Sequence, residues 1–270
     1  MKRLCKSKRG VSNIISTLVI FTIMVSALGL AFSQIVPSLE KFQTESDLAA
    51  ATNAFLSFDS EVRKLITAPD GSANVVRYNL ESGTLDVSQE REVFLLINTG
   101  GVNLFNHSVK PGEVSYTLNG NFKGSGGVIY DFGSPVLMVY SINRTTQMTN
   151  IIHQSFDGYK VLKLYYSLFV NIEVVTETEL EINFIVVHIN TTRTEGGQGE
   201  YFPIVNDATM IKIEKTNQYV ETYDLGTRTD DLSITANTLN FAQLIEYPIA
   251  PLIFDLTLNI AHIEVYLSTV

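Results

Sequence analysis

From Gly10 to Leu39 the chain carries no ionisable side chain, and five of the nine residues before that run are basic: Lys2, Arg3, Lys6, Lys8 and Arg9. At about 1.5 Å per residue, a helix over this run is long enough to cross the roughly 30 Å hydrocarbon core of a bilayer. The basic flank holds the N-terminus in the cytoplasm, so the chain from Glu40 onward is expected on the far side. The rest of the sequence is to be read as an outward-facing domain behind an apolar helix.

Two other readings of the run fit poorly. A secretory signal has an apolar region of about 7 to 15 residues ending at an Ala-x-Ala-like site, whereas the nearest such site, Ala27 to Ala31, lies mid-run. A lipoprotein signal would place its cysteine after the apolar stretch, and Cys5 precedes it. Without residues 1–10, the chain keeps 14 Lys and Arg against 28 Asp and Glu, so its formal charge falls from -9 to -14. An acidic chain with no other basic cluster is a poor ligand for nucleic acid or an anionic lipid surface. Cys5 is the only cysteine, so a chain that begins after Gly10 holds no disulfide and no thiolate metal site.

Lys8-Arg9-Gly10, followed directly by Val11-Ser12-Asn13-Ile14-Ile15, resembles the class III signal peptide of archaeal type IV pilin-like proteins and archaellins. The resemblance implies that a prepilin-type peptidase cuts after Gly10, that Val11 becomes the N-terminus, and that the helix stays on the mature protein. It also implies partners: membrane lipid around the helix, and other pilin-like subunits against it. Ile15 stands where bacterial type IV pilins carry Glu, which argues against a bacterial pilus. Ser16, Ala27, Gly29 and Ala31 are small enough for close helix approach, although membrane helices commonly carry such residues in any case. Between Val76 and Ile142, Gly112-Glu-Val-Ser-Tyr116 and Gly126-Gly-Val-Ile-Tyr130 loosely resemble the first half of the secreted domain of these proteins.

Pro37 removes one backbone donor and is expected to kink the helix, which continues with a more polar pattern to Ile66. Leu48, Ala51, Phe55, Phe58, Val62 and Leu65 recur three or four apart, which makes one apolar stripe; Glu45, Asp59, Glu61, Arg63 and Lys64 fall off it. After the breaker cluster Thr67 to Asn74 the period becomes strand-like. Strands are expected at Val75–Leu80, Thr84–Val87, Val93–Asn98, Val114–Leu118, Val128–Asp131 and Val136–Ile142. Later ones are Tyr159–Val175, Thr178–Asn190, Met210–Lys215, Gln218–Tyr223 and Leu252–Leu267. The fold class is therefore α+β: a long N-terminal helix, residues 11–66 with 11–39 in the membrane, then a mainly antiparallel, sandwich-like β domain over 67–270. Residues 144–158 are the best place for a break between two β lobes.

The residues offer little chemistry. His107, His153, His188 and His262 are far apart in sequence and none has a partner at metal-ligand spacing; His188 and His262 lie in alternating strands, where an isolated His reads as a core or rim residue. Gly120 to Gly127 lacks the Lys-Ser/Thr of a phosphate loop, and no Gly-x-Ser-x-Gly elbow occurs. Glu177, Glu179 and Glu181 share one strand face and are weak candidates for a metal, with solvated carboxylates the plainer reading. Asn106, Asn143 and Asn190 begin Asn-x-Ser/Thr triplets and are candidates for glycosylation. The expectation is a non-enzymatic, cofactor-free surface protein, pilin-like as a minor pilin or pseudopilin. The alternative is a tethered ligand-binding or adhesion module that does not polymerise.

Overall fold

In the computed structural model the residues described are all except 1–7, 79–82, 90, 121, 123, 125–126, 134–135, 141–147, 192–200, 204–208, 239–241, 250–252 and 270. Among the described residues, helix α1 (Lys8–Ile66) is followed by sixteen strands, and the chain divides into two compact units, residues 1–47 and 48–270. The described residues of the first unit are helix alone. Its apolar side chains from Ile15 to Leu39 face outward, with Leu18, Phe21, Leu30 and Phe32 among the most exposed. α1 is helical on both sides of Pro37, and Thr22 and Ser38 donate their hydroxyls to the carbonyls of Leu18 and Gln34, 2.8 Å away in each case. Such back-bonding lets a hydroxyl lie in an apolar setting with its hydrogen bond made.

The second unit begins with the last five turns of α1. Ala51, Phe55, Phe58, Val62 and Leu65 are all buried, as their spacing demands, and Leu48 packs beside them. The strands are β1 (Ala73–Tyr78), β2 (Thr84–Ser88), β3 (Val93–Thr99), β4 (Val102–Val109), β5 (Glu113–Asn119), β6 (Val128–Phe132), β7 (Met138–Tyr140) and β8 (Thr149–Phe156). They continue as β9 (Tyr159–Tyr166), β10 (Leu168–Thr176), β11 (Glu179–Asn190), β12 (Tyr201–Pro203), β13 (Thr209–Arg228), β14 (Leu232–Asn237), β15 (Ala242–Tyr247) and β16 (Phe254–Thr269). Three sheets result: sheet A in the order β1-β13-β16-β11-β10-β7, sheet B in the order β12-β2-β5-β9-β8-β6, and sheet C in the order β15-β14-β3-β4. Most pairs are antiparallel; β11 with β16 and β10 with β7 are parallel.

Sheet A covers two cores with opposite faces. The β11–β16 register is unbroken from Glu179↔Asp255 to Asn190↔Tyr266, so side chains alternate faces throughout. Leu180, Ile182, Phe184 and Val186 belong to the core shared with sheet C, while Val187 and Ile189 belong to the core shared with α1 and sheet B. In β16 the same exchange falls between Ile260 and Ile263. Each half of the long strands therefore has one covered face and one wet face, on alternate sides.

The strand pattern departs from expectation at identifiable places. The expected strand Tyr159–Val175 is divided at buried Ser167, where the chain leaves sheet B as β9 and enters sheet A as β10. Ser167 Oγ donates to the Val136 carbonyl and accepts from Asn150 Nδ2, both at 2.7 Å, which satisfies the corner. The two expected strands at 210–215 and 218–223 are one, β13, bulged between Lys215 and Asn217. Thr149–Phe156, within the segment where a lobe break was expected, is β8; residues 144–147 of that segment lie outside the described residues.

Asp59 departs as well: it is buried, though it lies off the apolar stripe. It accepts from Arg63 Nε at 2.8 Å and from the buried Thr149 hydroxyl, and Arg63 Nη2 donates to the same Thr149 oxygen at 3.0 Å. Opposite charge and a hydroxyl donor make the buried carboxylate tolerable. A second buried charge closes the helix. Lys215, at 2% exposure, donates to the carbonyls of Ala68 at 2.7 Å and Ile66 at 3.3 Å, and to Gln218 Oε1 at 2.7 Å. Its ammonium meets the negative end of α1, where carbonyls lack intrahelical donors.

Candidate functional site

The residues expected to carry function on α1 fall as follows. Gly10 and Val11 lie in the first turn of the helix as described, and Ser16, Ala27, Gly29, Ala31 and Pro37 are exposed along it. Nothing stands within 4 Å of where a Gly29 Cβ would be, so this backbone is open to a close neighbour. Among the described residues, one helix is long and apolar enough to cross a membrane, and it is this one.

In the β domain the expected acidic row is split. Glu177 sits in the β10–β11 turn, Glu179 begins β11 exposed, and Glu181 pairs with Glu173 and Thr257. Leu180, Ile182 and Phe184 are buried behind them, as the alternation requires. Among the described residues no three His, Cys, Asp or Glu side chains converge as metal ligands. Asn106 is exposed on β4, Asn190 is half-buried as the last residue of β11, and Asn143 lies outside the described residues.

Two histidines that read as isolated are in fact one unit. β11 and β16 place His188 and His262 on the same face of sheet A, two residues apart in register, where the covering core gives out. His188 Nε2 and His262 Nδ1 are 2.8 Å apart, the rings nearly parallel with centroids at 5.1 Å. His188 Nδ1 lies 2.8 Å from the Lys110 carbonyl, which can only accept. His188 therefore carries its proton on Nδ1, its Nε2 accepts, and His262 donates from Nδ1. That leaves His262 Nε2 a bare acceptor, buried and without a hydrogen-bond partner among the described residues, 3.9 Å from Glu221 Oε2.

Tyr219 stacks on the outer side of His262 at 4.6 Å, and Tyr223 donates its hydroxyl to Glu221 at 2.6 Å. Burial pushes His262 down to about 4, helped by the neighbouring His188 and His107 and opposed by Glu221. Burial also lowers His188, against its carbonyl bond and the nearby Glu264. Both imidazoles are thus neutral at pH 7, which is the state the hydrogen-bond directions require. The arrangement holds protons in a fixed order. Sequence spacing hid it, because the two residues are 74 apart and meet only through the parallel pairing.

Residues 9–141, just under half of the chain, are similar to a family of unknown function (DUF7289). The similar region takes in nearly all of α1 and the strands through β7. No curated protein and no solved structure matches the chain.

Proposed function

We propose that the protein is a non-enzymatic, single-pass membrane protein of the pilin-like kind, presenting its β domain outside the cell as a minor pilin or pseudopilin does. The observation that carries this reading is the division of labour along one continuous helix. The uncharged portion through Leu39 keeps its apolar side chains outward, and the portion from Leu48 buries its stripe in the β domain's own core. An outward apolar surface of that length is stable in lipid, or against copies of itself, and not in water. In this reading a prepilin-type peptidase removes residues 1–10, and Ser16, Ala27, Gly29 and Ala31 allow helices to approach once lipid is exchanged for neighbours.

Cross-linking in the native membrane tests the assembly step. Ladders of cross-linked species in the wild type that vanish in Gly29→Leu support a pilin-like subunit. Monomers alone, under conditions where filaments form, favour the second reading: a tethered ligand-binding module that does not polymerise. A polar cleft in sheet C gives that second reading its specific support.

A further inference from the structure

A cleft of 740 Å³ opens at the end of sheet C where β3 turns into β4, within the range of small-molecule sites. Gly100 and Gly101 make that turn with φ of 52° and 79°, and a Cβ on Gly100 would strike Asp230 Oδ2 at 2.5 Å, so the rim there is bare backbone by necessity. Four lining side chains stand in register, one on each strand: Asn103 opposite Asn98, Asn98 opposite Ser233, and Ser233 opposite Glu246. Strands lie about 4.8 Å apart, so amide, amide, hydroxyl and carboxylate form a line about 14 Å long on one face of the sheet. Among the described residues none of these four side chains has a hydrogen-bond partner. Tyr247, next to Glu246 and paired with buried Leu232, turns its ring to the opposite face and packs against the core beneath.

The lining selects its ligand by what it lacks. Among the described lining residues there is no Lys, Arg or His, and two are carboxylates, Asp231 and Glu246, which excludes phosphorylated, sulfated and carboxylated ligands. The apolar members are Leu232, itself 1% exposed, and Pro248, too little surface for a lipid or hydrocarbon. Asp231 already accepts from the Ile249 amide at 2.9 Å, which fixes it as part of the wall. What remains is a linear array of donors and acceptors across four strands. That array matches hydroxyls, each of which both donates and accepts.

We propose that this cleft binds a neutral polyhydroxylated chain, an oligosaccharide lying across the four strands of sheet C. The proposal is independent of whether the chain polymerises. It is tested with the full-length protein in lipid nanodiscs, since sugar-headed detergents would compete, on an array of neutral hexose and N-acetylhexosamine oligosaccharides beside sulfated ones, with spermine titrated by calorimetry. The expected result is retention of neutral oligosaccharides, weakened at least tenfold by Asn98→Ala with Asn103→Ala and unchanged by Thr222→Ala on sheet A. Should the double variant not fold, Glu246→Gln, which keeps the shape and removes the charge, is expected to weaken binding at least threefold. Absence of neutral-sugar binding, binding indifferent to these changes, or binding of spermine alone overturns the proposal.

Discussion

His262 gives its Nδ1 proton to His188 Nε2 at 2.8 Å and keeps a buried Nε2 with nothing to accept from among the described residues. The pair is therefore built for the neutral state and makes folding pH-dependent. Both histidines titrate lower in the folded chain than in the unfolded one, where 6.5 is ordinary. The unfolded state then binds more protons between pH 6.5 and about 4, so stability is full above pH 6.5 and is lost as pH falls through that window. The groups facing the pair are Glu221, Tyr219 and Tyr223 from β13, Glu264 from β16 and His107 from β4. Chemical denaturation at pH 7 and pH 4.5 should differ by about 2 kcal/mol from His262 alone. His262→Phe, which keeps a ring on Tyr219, should flatten that difference, and an undiminished pH slope in this variant would refute the assignment.

Lys215→Met tests the closure of α1. The variant keeps a long side chain and removes the ammonium that the Ala68 and Ile66 carbonyls share, leaving these part-buried carbonyls without that donor. A loss of about 2 to 4 kcal/mol in guanidinium unfolding, with unchanged denaturant slope, is expected. A loss below 0.5 kcal/mol, roughly that of a surface change, would show that water replaces the lysine.

Thr149→Val and Asp59→Ala separate the members of the second buried polar group. Valine fills the threonine's space and removes one hydroxyl that donates to Asp59 and accepts from Arg63, which should cost about 1 to 2 kcal/mol. Asp59→Ala removes the acceptor of both the Arg63 Nε proton and the buried Thr149 hydroxyl proton and should cost more, about 2 to 4 kcal/mol. The order of the two midpoints is the readout, and a reversed order would mean that the carboxylate is a burden on the fold.

Much of the architecture is readable from residue patterns, and the failures share one cause. The stripe from Leu48 to Leu65 and the alternation in β11 encode which side is buried, because helix and strand periods act locally. Asp59 reads as surface because nothing near it in sequence announces Thr149, its partner 90 residues away. The His188–His262 pair and the row from Asn103 to Glu246 depend on strand register across distant segments, which composition does not fix. Ser167 looks like the middle of one strand because the apolar pattern continues across it while the chain changes sheets. Asn98, Ser233 and Glu246 look unremarkable until pairing aligns them.

Within the apolar helix, two substitutions part insertion from association. Thr22→Asp places a charge near the centre of the uncharged run and should cost about 2.5 to 3.5 kcal/mol of insertion, seen as protein lost from the membrane fraction. Gly29→Leu inserts as well as the wild type and should lose only the cross-linked species, because the side chain fills space that is empty in the monomer. Equal membrane loss in both would mean that Gly29 serves insertion and not packing.

The intact mass of the protein purified from its own membrane tests the central claim most directly. The account predicts a chain that begins at Val11 and retains the whole apolar helix, with Gly10→Phe accumulating as an unprocessed membrane form. A chain that keeps Met1, or one that begins beyond Ala31, would contradict it.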